Sequence, residues 1–287
     1  MDRRACVRAL TAAGVAAITA PVKASSERLR IGLTPVILAD QVAFLSRWGR
    51  YLSARVGCEV SFLARESYQA ILDLLFSGQI DAAWICGYPY VRHEPLLALL
   101  AVPLYQGQPT YQAYLIRSRN SSAPLNGWAD LRGKVLAYSD PLSNSGWLVA
   151  QAQLAKAGLG PHDLKRSFFA HGHRNVAEAV AARLAQAGSI DGYVWETMRQ
   201  QGMAAVAQTE VVWKSEPHGF PPLVTRRGAV HPFLPQLQQV LLSMPEDATG
   251  RDLLHALNLT GFNEGASALF DSIRRQAQSV PGSGVVA

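Results

Sequence analysis

Cysteine is scarce in this chain, with three in 287 residues, and so is charge, with Asp, Glu, Lys and Arg at 17%. Three thiols leave at most one disulfide to consider. Thin charge beside 49% apolar residues excludes wholesale disorder and predicts a packed core. The formal net charge is +6, and residues 1–24 carry +3 of it, leaving +3 for the rest. That is too mild to argue for nucleic acid, and no basic helix or nucleic-acid motif is present. Long hydrophobic runs are missing too. The stretch from Ala9 to Ala20 is about a dozen small residues, too short to span a bilayer, so no membrane span is expected. His171 and His173 lack a third ligand at useful spacing, so no metal or other cofactor is expected.

The N-terminus has a basic start at Arg3, Arg4 and Arg8, a weakly apolar stretch, and then Val22-Lys23-Ala24. This order predicts an export signal, residues 1–24, of Sec or twin-arginine type, and hence a periplasmic protein. The paired arginines lean toward the twin-arginine type, while Asp2 and Cys6 lean away from it. The plain alternative is a ragged amphipathic start to a cytosolic protein. Cys6 leaves with the signal and lies too early to carry lipid.

Residues 29–34, LRIGLT, read as a strand. Residues 39–56 read as a helix on the rhythm of Val42, Phe44, Leu45, Trp48, Tyr51 and Leu52. EVSFLA is a strand, SYQAILDLLF a helix stopped at Gly78, and IDAAWIC a strand. GYPYVRH reads as a loop entering another short helix. The order then repeats: DLRGKVLAYS, SGWLVAQAQLAKAGL, RSFFAHG, NVAEAVAARLAQAG and IDGYVWE alternate strand and helix. This predicts two α/β lobes, each a mainly parallel sheet flanked by helices. LFSGQIDAAWIC and LAQAGSIDGYVWE echo each other, which makes Asp81 and Asp191 structural turn residues before strands. TYQAYLIRS and EVVWKSE read as crossings that act as a hinge. Lobe 1 is then discontinuous, 25–112 plus 220–287, and lobe 2 is 113–219. After Pro222 the chain reads as helical around 232–243, 246–257 and 264–277, ending in a frayed tail, VPGSGVVA.

Ligands of parallel α/β sheets bind beyond the carboxyl ends of the strands. Those loops are Thr34-Pro35, Ser67-Tyr68, Cys86 to Tyr90, Ser139 to Ser145 and His171 to His173. Cys58 begins a strand and Cys86 ends the next. Five residues of strand separate such positions by ~15 Å, which excludes a disulfide between them. Ser67-Tyr68 and Ser143-Asn144-Ser145 stand at helix starts, where backbone N–H groups and the helix dipole favour a small oxyanion. Plain helix capping is the alternative for Ser143. Asp140 would repel a fully ionised ligand but accept a hydrogen bond from a protonated one. Tyr88 and Tyr90 either wall the pocket or staple the loop. Trp84, Trp195 and Trp213 read as core or hinge packing, with Trp195 and Glu196 within reach of the cleft.

The run DLRGKVLAYSDPLSNSGWLVAQAQLAKAGL, with FFAHGHRNVAEAV, SIDGYVWE and the earlier ESYQAILDLLFSGQIDAAWICGYPYV, resembles the phosphonate-type periplasmic binding proteins of ABC importers. The likeness covers nearly all the chain beyond the signal, and its most telling element is the Asp-Pro-x-Ser-x-Ser-Gly loop. It implies a two-lobed type II periplasmic binding protein fold with a ligand cleft between lobes and no enzymatic activity. It also implies capture of a phosphonate, phosphite or phosphate for an ABC permease. The resemblance places anion donors at Tyr68, Ser143, Asn144 and Ser145, with Asp140 and His173 beside them; Cys86 and Tyr88 complete the candidate set. Three positions depart from the pattern. Asn144 stands where Thr is common, Arg174 where an acid is common, and Cys86-Gly87-Tyr88-Pro89 where Gly-Pro is common. Arg174 as an added cation would favour a more highly charged anion. Cys86 opens a second reading: similar proteins sense arsenite through a cleft cysteine for a membrane histidine kinase, and sulfur suits trivalent arsenic. A packed residue under the loop is its plain alternative. A third reading, an enzyme with Cys86 as nucleophile and His171 or His173 as base, lacks an orienting residue.

Overall fold

The computed structural model of the chain describes residues 28–34, 42–121 and 124–283. The expected signal, 1–24, and Pro35 lie outside them. The first lobe opens with β1 (Arg28–Leu33), α1 (Val42–Val56), β2 (Glu59–Ala64), α2 (Tyr68–Phe76), β3 (Ala82–Trp84), α3 (Gly87–Arg92) and β4 (Leu97–Leu104). β1 lies parallel between β2 and β3, because a helix carries the chain back over the sheet each time. Leu29, Ile31, Leu33, Ala82, Ala83 and Trp84 are buried, as expected for strands covered on both faces.

The chain crosses through β5 (Thr110–Tyr111). The second lobe holds β6 (Ala113–Ser118), β7 (Val135–Tyr138), α4 (Val149–Lys156), β8 (Arg166–Phe169), α5 (His173–Ala181), β9 (Ala187–Asp191), α6 (Gly192–Gln200), α7 (Ala204–Ala207) and β10 (Thr209–Lys214). β7 is parallel to β8 and β9, whereas β6 and β10 join antiparallel. The return runs through β11 (His218–Gly219), which pairs with β5. Then β12 (Leu223–Arg226), α8 (Leu234–Leu242), α9 (Ala248–Ala256), β13 (Gly261–Asn263) and α10 (Asp271–Ser279) complete the first lobe. The two sheets run β13-β4-β12-β3-β1-β2 and β10-β6-β9-β7-β8. The architecture is two α/β lobes joined by the β5–β11 link.

The structure departs from the sequence pattern in four places. Gly87–Arg92 is a helix, not a loop. TYQAYLIRS and EVVWKSE are not simple crossings: β6 and β10 are strands of the second sheet, and β5 and β11 make the link. IDGYVWE is not a strand. β9 ends at Asp191, whose side chain caps α6 by accepting the Val194 N–H at 3.2 Å. The echo with Asp81 is therefore false. Asp81 precedes β3 and pairs with Arg30, whereas Asp191 closes its strand at the carboxyl edge of the sheet. Finally, residues 280–283 are not frayed, since Val280 and Ser283 are buried.

Candidate functional site

The site grows from the loop after β7. Ser139-Asp140-Pro141-Leu142-Ser143 leads into a wide π-helical turn, Asn144–Leu148, ahead of α4. Such turns are rare and often occur where a backbone is shaped for binding. Ser143 caps it, Oγ accepting the Gly146 N–H at 2.9 Å. Only glycine fits at 146, because a Cβ there would collide with the Ser139 hydroxyl. Ser139, Ser143, Asn144 and Ser145 are fully buried, with the opposite lobe over them.

Tyr68 from α2, Cys86 after β3 and Tyr111 from β5 face this loop, and α5 and β9 bring in His173 and Asp191. Tyr68 Oη lies 3.2 Å from His173 Nε2, and His173 Nδ1 accepts the Asp191 N–H at 3.1 Å. That second bond assigns the ring proton to Nε2, which donates to Tyr68 and leaves the tyrosine proton for another acceptor. Burial lowers the His173 pKa to about 3, so the ring is neutral. Asn144 Nδ2 donates to Tyr111 Oη at 3.0 Å. Cys86 Sγ accepts the Asn144 N–H at 3.3 Å, and burial pushes the thiol up to about 11. Ser139 Oγ, Asn144 Oδ1, Ser145 Oγ and Asp191 Oδ2 are buried without a partner in hydrogen-bonding geometry. Orphaned polar atoms are rare inside proteins; four around one turn suit a small polar ligand.

A family profile described as ABC transporter, phosphonate, periplasmic substrate-binding protein matches residues 31–269. The chain belongs to this family. The phosphate-import protein PhnD of Mycolicibacterium smegmatis is 29% identical over 182 residues, 58% of this chain and 56% of that one. The match thus spans little more than half of that relative. A binding-protein component of an ABC phosphonate transporter from Pseudomonas aeruginosa has a TM-score of 0.81 at 19% identity, over 90% of this chain and 88% of that one. PhnD1 of Prochlorococcus marinus, solved with methylphosphonate, has a TM-score of 0.76 at 18% identity, over 88% of this chain and 97% of that one. Both share the fold.

Within this substrate-binding protein, the structure gathers Tyr68, Cys86, Asp140, Ser143, Asn144, Ser145 and His173 into one buried cluster. It leaves Tyr88 out: that hydroxyl donates to the Ser283 carbonyl at 2.6 Å, and its ring stacks on Trp147. Asp140 has a different task from the expected one. Its Oδ1 accepts the Leu142 N–H at 2.8 Å and its Oδ2 the Tyr68 N–H at 3.2 Å, so it bridges the lobes. Arg174 pairs with Glu178 at 2.9 Å along α5, which compensates its charge. His171 is exposed, and the Trp195 indole donates to Thr209 Oγ1 at 3.2 Å. Among the described residues no group of three or more His, Cys, Asp or Glu is placed to hold a metal. Sequence reasoning missed Tyr111 and Asp191, and placed Ser139 in a strand-end loop without counting it among the candidates. Ser139 was legible as the first residue past β7; Asp191 was hidden by the false strand echo.

Proposed function

We propose that this chain captures a small phosphorus oxyanion, a phosphonate, phosphite or phosphate, in the periplasm and hands it to an ABC permease without chemistry on the ligand. The observation that carries this reading is the ring of unpartnered polar atoms around the π turn, beside the Tyr68–His173 pair. Hydroxyls and amide N–H groups replace the ligand's water shell, and the neutral His173 imidazole orients the Tyr68 hydroxyl. The phosphate and methylphosphonate named for its relatives are of this chemical class. Lobe 1, residues 25–112 plus 220–287, and lobe 2, residues 113–219, close on the ligand about the β5–β11 link. The segment 1–24 is its export signal, Sec or twin-arginine.

The Cys86 thiol at the seat supports a second reading, an arsenite sensor docking on a membrane histidine kinase. The enzyme reading gains nothing: the thiol is held protonated, and its partner is an amide N–H rather than a base. The test is thermal shift of residues 25–287 against phosphate, phosphite, methylphosphonate, 2-aminoethylphosphonate, sulfate and arsenite. A rise with a phosphorus oxyanion, retained in Cys86→Ser, is expected. A rise with arsenite alone, lost when the thiol is blocked, replaces the importer with the sensor.

A further inference from the structure

Among the described residues, one carboxylate oxygen of the seat has no partner in hydrogen-bonding geometry, although the Tyr193 backbone N–H also lies close to the Asp191 carboxyl. Asp191 is 1% exposed; its Oδ1 accepts the Val194 N–H, while Oδ2 is buried and unpartnered. Asp140 differs, because backbone N–H groups occupy both of its oxygens. We propose that Asp191 reads a proton on the ligand: the seat takes an oxyanion together with a single proton shared between Asp191 Oδ2 and a ligand oxygen. The inference rests on the reading of the cleft as an oxyanion site.

A bare carboxylate beside an oxyanion repels it. One proton between them turns the repulsion into a short charge-assisted hydrogen bond. The groups facing Asp191 are Tyr68 of α2, Cys86 ahead of α3, Tyr105 after β4, Tyr111 of β5, Tyr114 of β6 and Tyr193 of α6. His173 of α5 meets its backbone. All of these are neutral near pH 7, since burial raises the tyrosines and the thiol and lowers the imidazole. Glu196, Arg199 and Lys214 gather around Tyr114 instead: Glu196 at its hydroxyl, Arg199 on Glu196, and Lys214 4.7 Å from the ring centre. Among the described residues no lysine or arginine contributes to the state of Asp191, whose carboxyl burial pushes up to about 7. Phosphonate, phosphite and phosphate lose their second proton near neutrality, so either partner can bring the shared one. Sulfate and alkylsulfonates bring none and depend on Asp191 for it.

The test is isothermal titration of methylphosphonate across neutral and alkaline pH, in paired buffers of different ionisation heat to count protons. In the wild type, Kd is expected to rise about tenfold per pH unit on the alkaline side, with one proton taken up on binding. Asp191→Asn keeps an acceptor for the Val194 N–H and offers an amide donor to the ligand. It should bind with a flat profile and exceed the wild type at the alkaline end. Asp140→Asn should keep the wild-type slope. A flat wild-type profile without proton uptake, an unchanged slope in Asp191→Asn, or a slope lost equally in Asp140→Asn overturns the inference. A wild type that binds no phosphorus oxyanion at any pH overturns the functional reading as well; binding with a flat profile overturns this inference alone.

Discussion

Gly146 governs the packing of the π-helical loop. A Cβ there would overlap the Ser139 hydroxyl and press on Ser143 Oγ at 3.0 Å, and buried overpacking costs about 1–3 kcal/mol. Gly146→Ala is therefore expected to lose ligand-induced thermal shift and to lower stability by that amount in urea denaturation. Cys86 is the opposite case. Serine keeps an acceptor for the Asn144 N–H, so Cys86→Ser should hold phosphorus-oxyanion affinity to within a few-fold by calorimetry. Because burial pushes the thiol up to about 11, iodoacetamide at neutral pH should label it far more slowly than a free thiol.

At the scale of elements, short segments join the two lobes. α10 lies across α3 of the first lobe and α4 of the second, and the Tyr88 hydroxyl ties down the segment after α10 at the Ser283 carbonyl. Tyr88→Phe removes that one hydrogen bond, so a loss of about 1 kcal/mol in unfolding free energy is expected. On β11, His218 Nδ1 lies 3.0 Å from Ser272 Oγ, and burial lowers its pKa to about 4. The folded value is below the unfolded one, so the unfolded chain takes the proton first. Stability is then lost as pH falls from about 6.5 toward 4, by about 1.4 kcal/mol per unit for this group. His173 acts in the same direction. Asp191 opposes them, because a raised carboxyl stabilises at low pH and loses that as pH rises through about 7. Urea titrations over this range should show a shallower acid limb in His218→Phe than in the wild type.

For the whole molecule, the bonds between the lobes include the Tyr68 N–H to Asp140, Tyr68 to His173 and the Asn144 N–H to Cys86, with Tyr193 Oη donating to the Leu257 carbonyl and Asn258 Nδ2 to Thr197 Oγ1. Asp140→Ala removes a bridge in which the acceptor is charged, worth about 1.5 kcal/mol. Methylphosphonate affinity should fall about tenfold, and small-angle scattering should show a smaller ligand-induced compaction than in the wild type. Undiminished affinity and compaction in that variant would remove Asp140 from the closure.

Contiguous residues wrote much of this protein legibly. The alternation of strand and helix, the two lobes and the Ser143-Asn144-Ser145-Gly146 turn follow from local periodicity and capping, which need only near neighbours in sequence. The division of labour between Asp140 and Asp191 was not legible. Two acids at strand ends look alike until one meets the Tyr68 N–H, 72 residues away on the other lobe. Ala187–Asp191 is wholly buried but holds one large apolar residue, Ile190, so it carries no apolar rhythm, and the apolar residues of α6 imitated a strand in its place. Tyr88 reads as a cleft residue beside Cys86, yet the Ser283 carbonyl and Trp147 take its hydroxyl and ring. Periodicity sets which elements form; which polar atoms remain for a ligand depends on what the rest of the fold has already bonded.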